Sequence, residues 1–345
     1  MSSMPSSSPV VVTGATGLIA KHVIGELVKR GYPVRGTLRT MEKADDVRRA
    51  VRTLGGDPAM LSFVVADLLT DQGWDEAVAG SDVVLHTASP FPIVQPDDPD
   101  DLIRPARDGT LRVLKAATRA GVKRVVLTSS TVAIFYGSGL PRGHVYSEAD
   151  FTDEQRSDLT PYIKSKTIAE KAAWEFVKAT PGAPELAVIN PGFVQGPALD
   201  ADLSTSHELY RVMAGGKYPA APRIAFPVAD VRDVAAAHIE AAFRPEAAGQ
   251  RHLIGEGRLG LYGLGQIMAR ELPDLKAKVP KFELPDVVVR TMAVADKRMR
   301  TILPELGEEK SYTNERASRA LGLRLRSADE AATAAVRSLR DLGLI

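Results

Sequence analysis

A doubly wound parallel α/β sheet, followed by a smaller discontinuous C-terminal region, is the fold the sequence predicts, on three observations. The chain opens with a short apolar run, Val10 to Val12, then a glycine-rich turn, a helical pattern and a second apolar run. Short apolar runs and helical patterns keep alternating as far as Gly192. Beyond Gly192 the alternation breaks and Pro, Gly and Ala become frequent. Parallel strands buried on both faces read as continuous apolar runs, and helical crossovers join one to the next.

The first unit carries the strongest signal. Leu18, Ile19, Val23, Leu27 and Val28 recur at helical spacing, and Gly31 closes the helix. A second strand follows from Tyr32 to Leu38. The turn between the first strand and the helix is Thr13-Gly14-Ala15-Thr16-Gly17-Leu18-Ile19-Ala20. Gly14 permits a tight turn and Gly17 a close backbone approach to a pyrophosphate, while Ala20 is small enough for helix–strand packing. The free N–H groups and dipole of the helix start favour that phosphate. This is the context of a dinucleotide fingerprint, and it predicts a Rossmann-type domain.

The end of the second strand discriminates between cofactors. An acid there holds the ribose 2′-hydroxyl of NAD, whereas an arginine accommodates the 2′-phosphate of NADP. No Asp or Glu lies between Gly31 and Met41; Arg35, Arg39 and Lys43 occur there or just beyond. Arg39, just past the strand, is assigned to the phosphate, and Lys43 is a second candidate.

Glu42 to Leu54 reads as a charged surface helix and Leu61 to Ala66 as the third strand, ending at Asp67-Leu68. Asp67 there either accepts from an adenine amino group or caps the next element. Trp74 to Ala79 is a short helix, and Asp82 to His86 the fourth strand. That strand runs into Thr87-Ala88-Ser89-Pro90-Phe91-Pro92, a loop expected beside the cofactor, with Phe91 either walling a pocket or packing in the core. The acids from Asp97 to Asp101 precede a helix from about Leu102 to Ala120, where the dipole favours them. Arg124 to Ser129 is the fifth strand. Thr160-Pro161 opens a helix to about Ala179, and Leu186 to Asn190 is a sixth strand ending in Pro191-Gly192. Residues 10–190 are therefore expected to bind the dinucleotide. Residues 191–345 form the smaller substrate-binding region, with 227–255 contributing back to the main sheet. The last helix opens on a capping box, Ser327 with Glu330.

Composition excludes several classes. The 345 residues carry a net charge of +1, which argues against nucleic-acid and anionic-membrane partners. The absence of cysteine removes thiolate chemistry, disulfides and cysteine-bound metals. The first nine residues form a polar tail, expected to be disordered, without the pattern of a secretory signal. No stretch approaches a membrane span, so a cytoplasmic protein is expected. The six histidines show no metal spacing; they read as structural, and His238 is expected to pair with a nearby acid.

The chemistry concentrates at Tyr162 and Lys166, four apart on one helix face. An ammonium beside a phenol favours phenolate and is expected to lower its pKa. The tyrosine then gives a proton to a nascent alkoxide or takes one from an alcohol. Ser130, at the end of the fifth strand, is placed to hold the carbonyl oxygen.

These residues resemble one family. Thr13 to Ala20, His86 to Phe91, Thr128-Ser129-Ser130, Tyr162 with Lys166, and Asn190-Pro191-Gly192-Phe193-Val194 are similar to the motifs of the extended short-chain dehydrogenase/reductases. Ala169 to Phe176 looks most like the dihydroflavonol-reductase-like branch, which holds aldehyde, ketone and methylglyoxal reductases. The resemblance implies Ser130, Tyr162 and Lys166 as the catalytic set, with Ser129 the alternative serine. It implies NADP(H) held by Gly14, Thr16, Gly17, Leu18, Ile19, Arg39, Lys43, Asp67, Leu68, Thr87, Ala88, Ser89, Tyr162, Lys166, Pro191, Gly192 and Val194. Phe91, Ile134 and Phe193 are the expected pocket walls, with part of Pro197 to Phe226. That wall shows no obvious cation, which points to a neutral aldehyde or ketone. The protein is expected to act as a monomer or homodimer. Two other readings remain: an NAD-dependent nucleotide-sugar epimerase or dehydratase on the same fold, and a non-catalytic NADP-sensing regulator.

Overall fold

The computed structural model describes residues 8–89, 98–295 and 302–345. The first half builds one sheet in strict alternation. Its elements are β1 (Val10–Thr13), α1 (Leu18–Lys29), β2 (Val34–Leu38), α2 (Ala44–Thr53), β3 (Leu61–Val65), α3 (Trp74–Val78), β4 (Val83–His86), α4 (Asp100–Arg119) and β5 (Arg124–Thr128). After a short β6 (Val145–Tyr146) come α5 (Pro161–Ala179) and β7 (Glu185–Pro191). The seventh strand of the main sheet arrives late, as β11 (Arg251–Ile254), which pairs parallel with β7. The order is β11-β7-β5-β4-β1-β2-β3, with every pair parallel.

Alternation along each strand sends side chains to two cores. Val10 and Val12 of β1, Leu85 of β4 and Ile189 of β7 pack with α1 and α2 on one face. Val11, Val84, Val125 and Val188 pack with α3, α4 and α5 on the other. Strand order reverses between β1 and β4, so the loops leaving these two strands diverge and open a crevice at their C-terminal ends.

The second half sits above that edge. β8 (Phe193–Gln195), α6 (Thr205–Ala214), β9 (Ala221–Pro222), β10 (Ala225–Asp230) and α7 (Val231–Phe243) precede β11. After it come β12 (Arg258–Gly260), α8 (Leu261–Glu271), β13 (Glu283–Leu284), α9 (Asp286–Ala295), β14 (Ser311–Tyr312), α10 (Glu315–Leu321) and α11 (Ala328–Asp341). β12, β10 and β8 form a three-stranded sheet, and α6, α8 and α11 pack around Tyr210, Met213, Leu264 and Leu339. The capping box at Ser327 and Glu330 is present. Among the described residues no helix is long and apolar enough to cross a membrane.

Four histidines are held neutral by burial. It pushes His22, His238 and His252 down to about 4 and His86 to about 3. His238 bonds no acid, contrary to expectation: its Nδ1–H donates to Val234 O at 2.7 Å and its Nε2 accepts from Thr128 Oγ1 at 2.6 Å. Below pH 6.5 the unfolded chain takes up protons that the folded chain refuses. Stability is therefore expected to fall as pH drops from 6.5 toward 4, each such histidine adding a slope of about 1.4 kcal/mol per pH unit. Urea unfolding at pH 7 and pH 5 checks this; equal unfolding free energies would refute it.

Candidate active site

The crevice carries the predicted turn. Gly14 adopts φ +65°, and a Cβ there would lie 3.0 Å from both Cα and Cβ of Ala88. The contact is backbone against backbone, so the glycine is required twice over: for its left-handed conformation and for the approach of β1 to β4. Thr37 Oγ1 accepts from Gly14 N at 3.0 Å and Thr13 Oγ1 from Ala88 N at 3.0 Å, fixing the loop from both sides. Gly17 begins α1 with no side-chain cap, which leaves first-turn N–H groups for an anion. Thr16, Leu18 and Ile19 of this turn are half-buried. Thr87 donates to Thr13 O, and Ser89 follows half-buried; Phe91 lies outside the described residues.

At the end of β2 the three cations separate. Arg35 spends its guanidinium on the carbonyls of Glu76, Ala77 and Ala79. Lys43 is exposed and lies 3.4 Å from Asp46. Arg39 is exposed and makes no hydrogen bond or ion pair among the described residues. Asp67 Oδ1 accepts from Leu69 N at 2.9 Å, so the capping role is real, while Oδ2 makes no hydrogen bond among the described residues. Leu68 packs against Gly109, where a Cβ would meet its own at 2.8 Å.

Ser130, Tyr162 and Lys166 converge. Thr160 caps α5 and Pro161 begins it, which sets the first turn where Tyr162 faces β5. The Tyr162 phenol and the Ser130 hydroxyl are hydrogen-bonded. Lys166 is buried, and its Nζ donates to Thr128 O at 3.3 Å. Ser129, the alternative serine, donates its hydroxyl to Glu170 at 2.5 Å, whereas Ser130 is the serine bonded to Tyr162. Burial pushes Tyr162 up to about 12, against a smaller opposing effect of Ser130. This corrects the expectation of a lowered phenol pKa: desolvation outweighs the Ser130 hydrogen bond, and the tyrosine holds its proton. The same burial lowers Lys166 to about 8, while the Glu170 carboxylate opposes the shift.

One cavity of about 480 Å³ joins these parts. Gly17, Leu18, Ile19, Thr87, Ser130, Tyr162, Gly192, Phe193 and Val194 line it. Gly192, which follows Pro191 at the end of β7, carries no side chain because a Cβ would lie 2.4 Å from Pro227 O. Ile134 does not reach the cavity: it is buried with Phe135, Tyr136, Leu159 and Ile163, and Val132 and Phe135 form that wall instead. The short 3-10 turn at Thr131–Ala133 rotates the wall-forming positions, and no apolar periodicity in the sequence reports such a turn. Sequence reasoning also missed a polar corner of Tyr136, Arg258, Glu305 and Lys310. Lys310 pairs with Glu305 at 2.7 Å, Glu305 accepts from Tyr136, and Arg258 donates to the carbonyls of Ala225, Glu308 and Lys310. These cations are thus neutralised or bonded internally. Arg211 and Arg223 pair with Glu208 and Asp286.

A glycine turn at the switch point of a doubly wound sheet, opening on a Ser–Tyr–Lys set, defines a dinucleotide-dependent oxidoreductase scaffold. A family model described as the NAD dependent epimerase/dehydratase family matches residues 10–255. Cinnamoyl-CoA reductase 1 of Petunia hybrida is 38% identical over 273 residues, covering 78% of this chain and 79% of that protein. NADPH-dependent methylglyoxal reductase GRE2 of Saccharomyces cerevisiae is 35% identical over 292 residues, covering 79% and 84%. The crystal structure of yeast methylglyoxal/isovaleraldehyde reductase Gre2 complexed with NADPH is similar with TM-score 0.79 and 28% identity, over 98% of this chain and 100% of that one. The chain belongs to the NAD dependent epimerase/dehydratase family, the extended short-chain dehydrogenase/reductases, within the dihydroflavonol-reductase-like branch.

Proposed function

We propose that this protein reduces an aldehyde or ketone to an alcohol with NADPH, with Tyr162 as proton donor, Ser130 holding the carbonyl oxygen and Lys166 orienting the cofactor ribose. The observation that carries the reading is the shared cavity: the Ser130–Tyr162 pair and the Gly17–Ile19 turn open onto the same 480 Å³ space. The cradle suits the dinucleotide, since Gly17 and Gly192 line it and no side chain projects from either. NADPH, when bound, supplies the hydride to the carbonyl carbon. Tyr162, protonated at neutral pH, then gives its proton to the developing alkoxide. Ser130 donates to the same oxygen, so charge that grows there meets a preset dipole. Lys166, cationic below about pH 8, supports the tyrosine and the ribose hydroxyls.

The 2′-phosphate goes to Arg39, with Lys43 nearby, and the adenine amino group to Asp67 Oδ2. Residues 10–190 bind the dinucleotide and residues 191–345 close over a neutral substrate whose apolar body lies against Val132, Phe135, Phe193 and Phe226. The reading includes a cytoplasmic protein acting as a monomer or homodimer. NADPH and NADH consumption across a panel of aldehydes, ketones and dicarbonyls tests it. NADPH-selective turnover is expected, with kcat/KM for NADPH falling above about pH 8 as free-enzyme Lys166 loses its proton. Tightly bound NAD in the purified protein would favour the epimerase reading, and NADPH binding without turnover of any carbonyl would favour the sensor.

A further inference from the structure

Glu170 is a buried acid that the reaction as described does not use. It stands one turn beyond Lys166 on α5, fully buried within the helix–sheet interface. A carboxylate offers about four acceptor positions, and here four donors occupy them. Oε2 accepts from Ser129 Oγ at 2.5 Å and Asn190 Nδ2 at 2.8 Å. Oε1 accepts from Arg251 Nε at 2.5 Å and Trp174 Nε1 at 3.3 Å. Two of these donors reach onward to the catalytic strand end. Asn190 Nδ2 also donates to Ser130 O at 3.1 Å, and Arg251 donates to Ala133 O at 3.3 Å, closing the turn that follows Ser130. Arg251 also holds the carbonyls of Glu148 and Asp150, and its guanidinium lies 3.8 Å from the Phe151 ring centroid.

We propose that Glu170 is a positioning residue for carbonyl reduction: its carboxylate ties β5, β7 and β11 to α5 so that Ser130 is fixed relative to Tyr162 and Lys166. The inference rests on the reductase reading above. Stability alone does not call for such a device, because an apolar set of similar volume in place of a buried ion pair is often neutral or stabilising. What four saturated hydrogen bonds add is direction. The serine and the phenol must meet one oxygen, and they sit on different elements, so a small slip between α5 and β5 separates them.

Glu170 is also the carboxylate that acts on Lys166. The groups facing this ammonium are Glu170 from its own helix, neutral His86 from β4 and the Thr128 carbonyl from β5, with Tyr162 one turn earlier on α5 and Arg251 of β11 beyond Glu170. Removing the carboxylate charge therefore favours the neutral amine, and Lys166 gives up its proton at lower pH.

The test is Glu170→Gln in the full chain, with wild-type NADPH turnover of the best panel substrate measured alongside. Expected are a kcat lowered about tenfold, an NADPH Kd within about threefold, and a high-pH limb of kcat/KM for NADPH moved to lower pH. A kcat within about twofold with an unmoved limb overturns the proposal, as does a kcat loss that only tracks the folded fraction by circular dichroism. If the Gln variant does not fold, Ser129→Ala removes one donor and no charge. A kcat loss of about threefold or more then supports the proposal, and a smaller one overturns it. Absence of wild-type turnover fails the reductase reading and this proposal together; wild-type turnover with an unaffected variant fails this proposal alone.

Discussion

Tyr162→Phe is expected to lower kcat by about a thousandfold while NADPH binds as it does to the unchanged protein. The substitution keeps the ring on α5 and removes only the hydroxyl that meets Ser130. That hydroxyl is the proton source of the proposed reaction. Burial raises it to about 12, so at neutral pH it is an acid ready for reduction rather than a base ready for oxidation. Loss of a positioned acid costs about two to four orders of magnitude. The proposed cofactor contacts lie mainly on the glycine turn and the β2 end, so fluorescence titration should give an NADPH Kd close to the wild-type value. A variant that turns over within tenfold of wild type, a margin well short of the usual cost of about a hundredfold or more, would remove Tyr162 from its role.

Arg39→Ala should weaken NADPH by about fifty-fold and NADH by less than about threefold, as loss of a charge-assisted contact to phosphate predicts. The expectation comes from elimination by geometry. Arg35 is bound to three carbonyls and Lys43 sits beside Asp46, whereas Arg39 has no protein partner among the described residues. The difference should shrink in high salt, because an exposed contact is screened. Titrations of both nucleotides at two ionic strengths decide the matter. Equal weakening of NADPH and NADH would move the phosphate elsewhere.

The relatives named as methylglyoxal and cinnamoyl-CoA reductases share the fold and, at these identities, most of the chain. They differ from one another in substrate. The polar corner of Tyr136, Glu305 and Lys310 is therefore where we look for this chain's own selectivity, since the rest of the cavity wall is mainly apolar. It lies on segments far apart in sequence, joined by the parallel pairing of β14 with β6.

Local pattern alone determined the parallel sheet, the glycine turn and the Tyr162–Lys166 face. Each is written within one element or across one loop: apolar runs for strands, a period of 3.6 for helices, glycine where a side chain cannot fit. The sequence also held an acid one turn beyond Lys166, on the same helix face, a signal whose meaning depended on a partner at Arg251. Only the tertiary structure decided that partner, the choice of Val132 and Phe135 over Ile134 as cavity wall, and the direction of the Tyr162 shift. The reason is common to all three. Periodicity reports which way a side chain points from its own element, but burial and partners are set by crossings between segments tens to hundreds of residues apart. A phenol's pKa depends on how much water those crossings exclude.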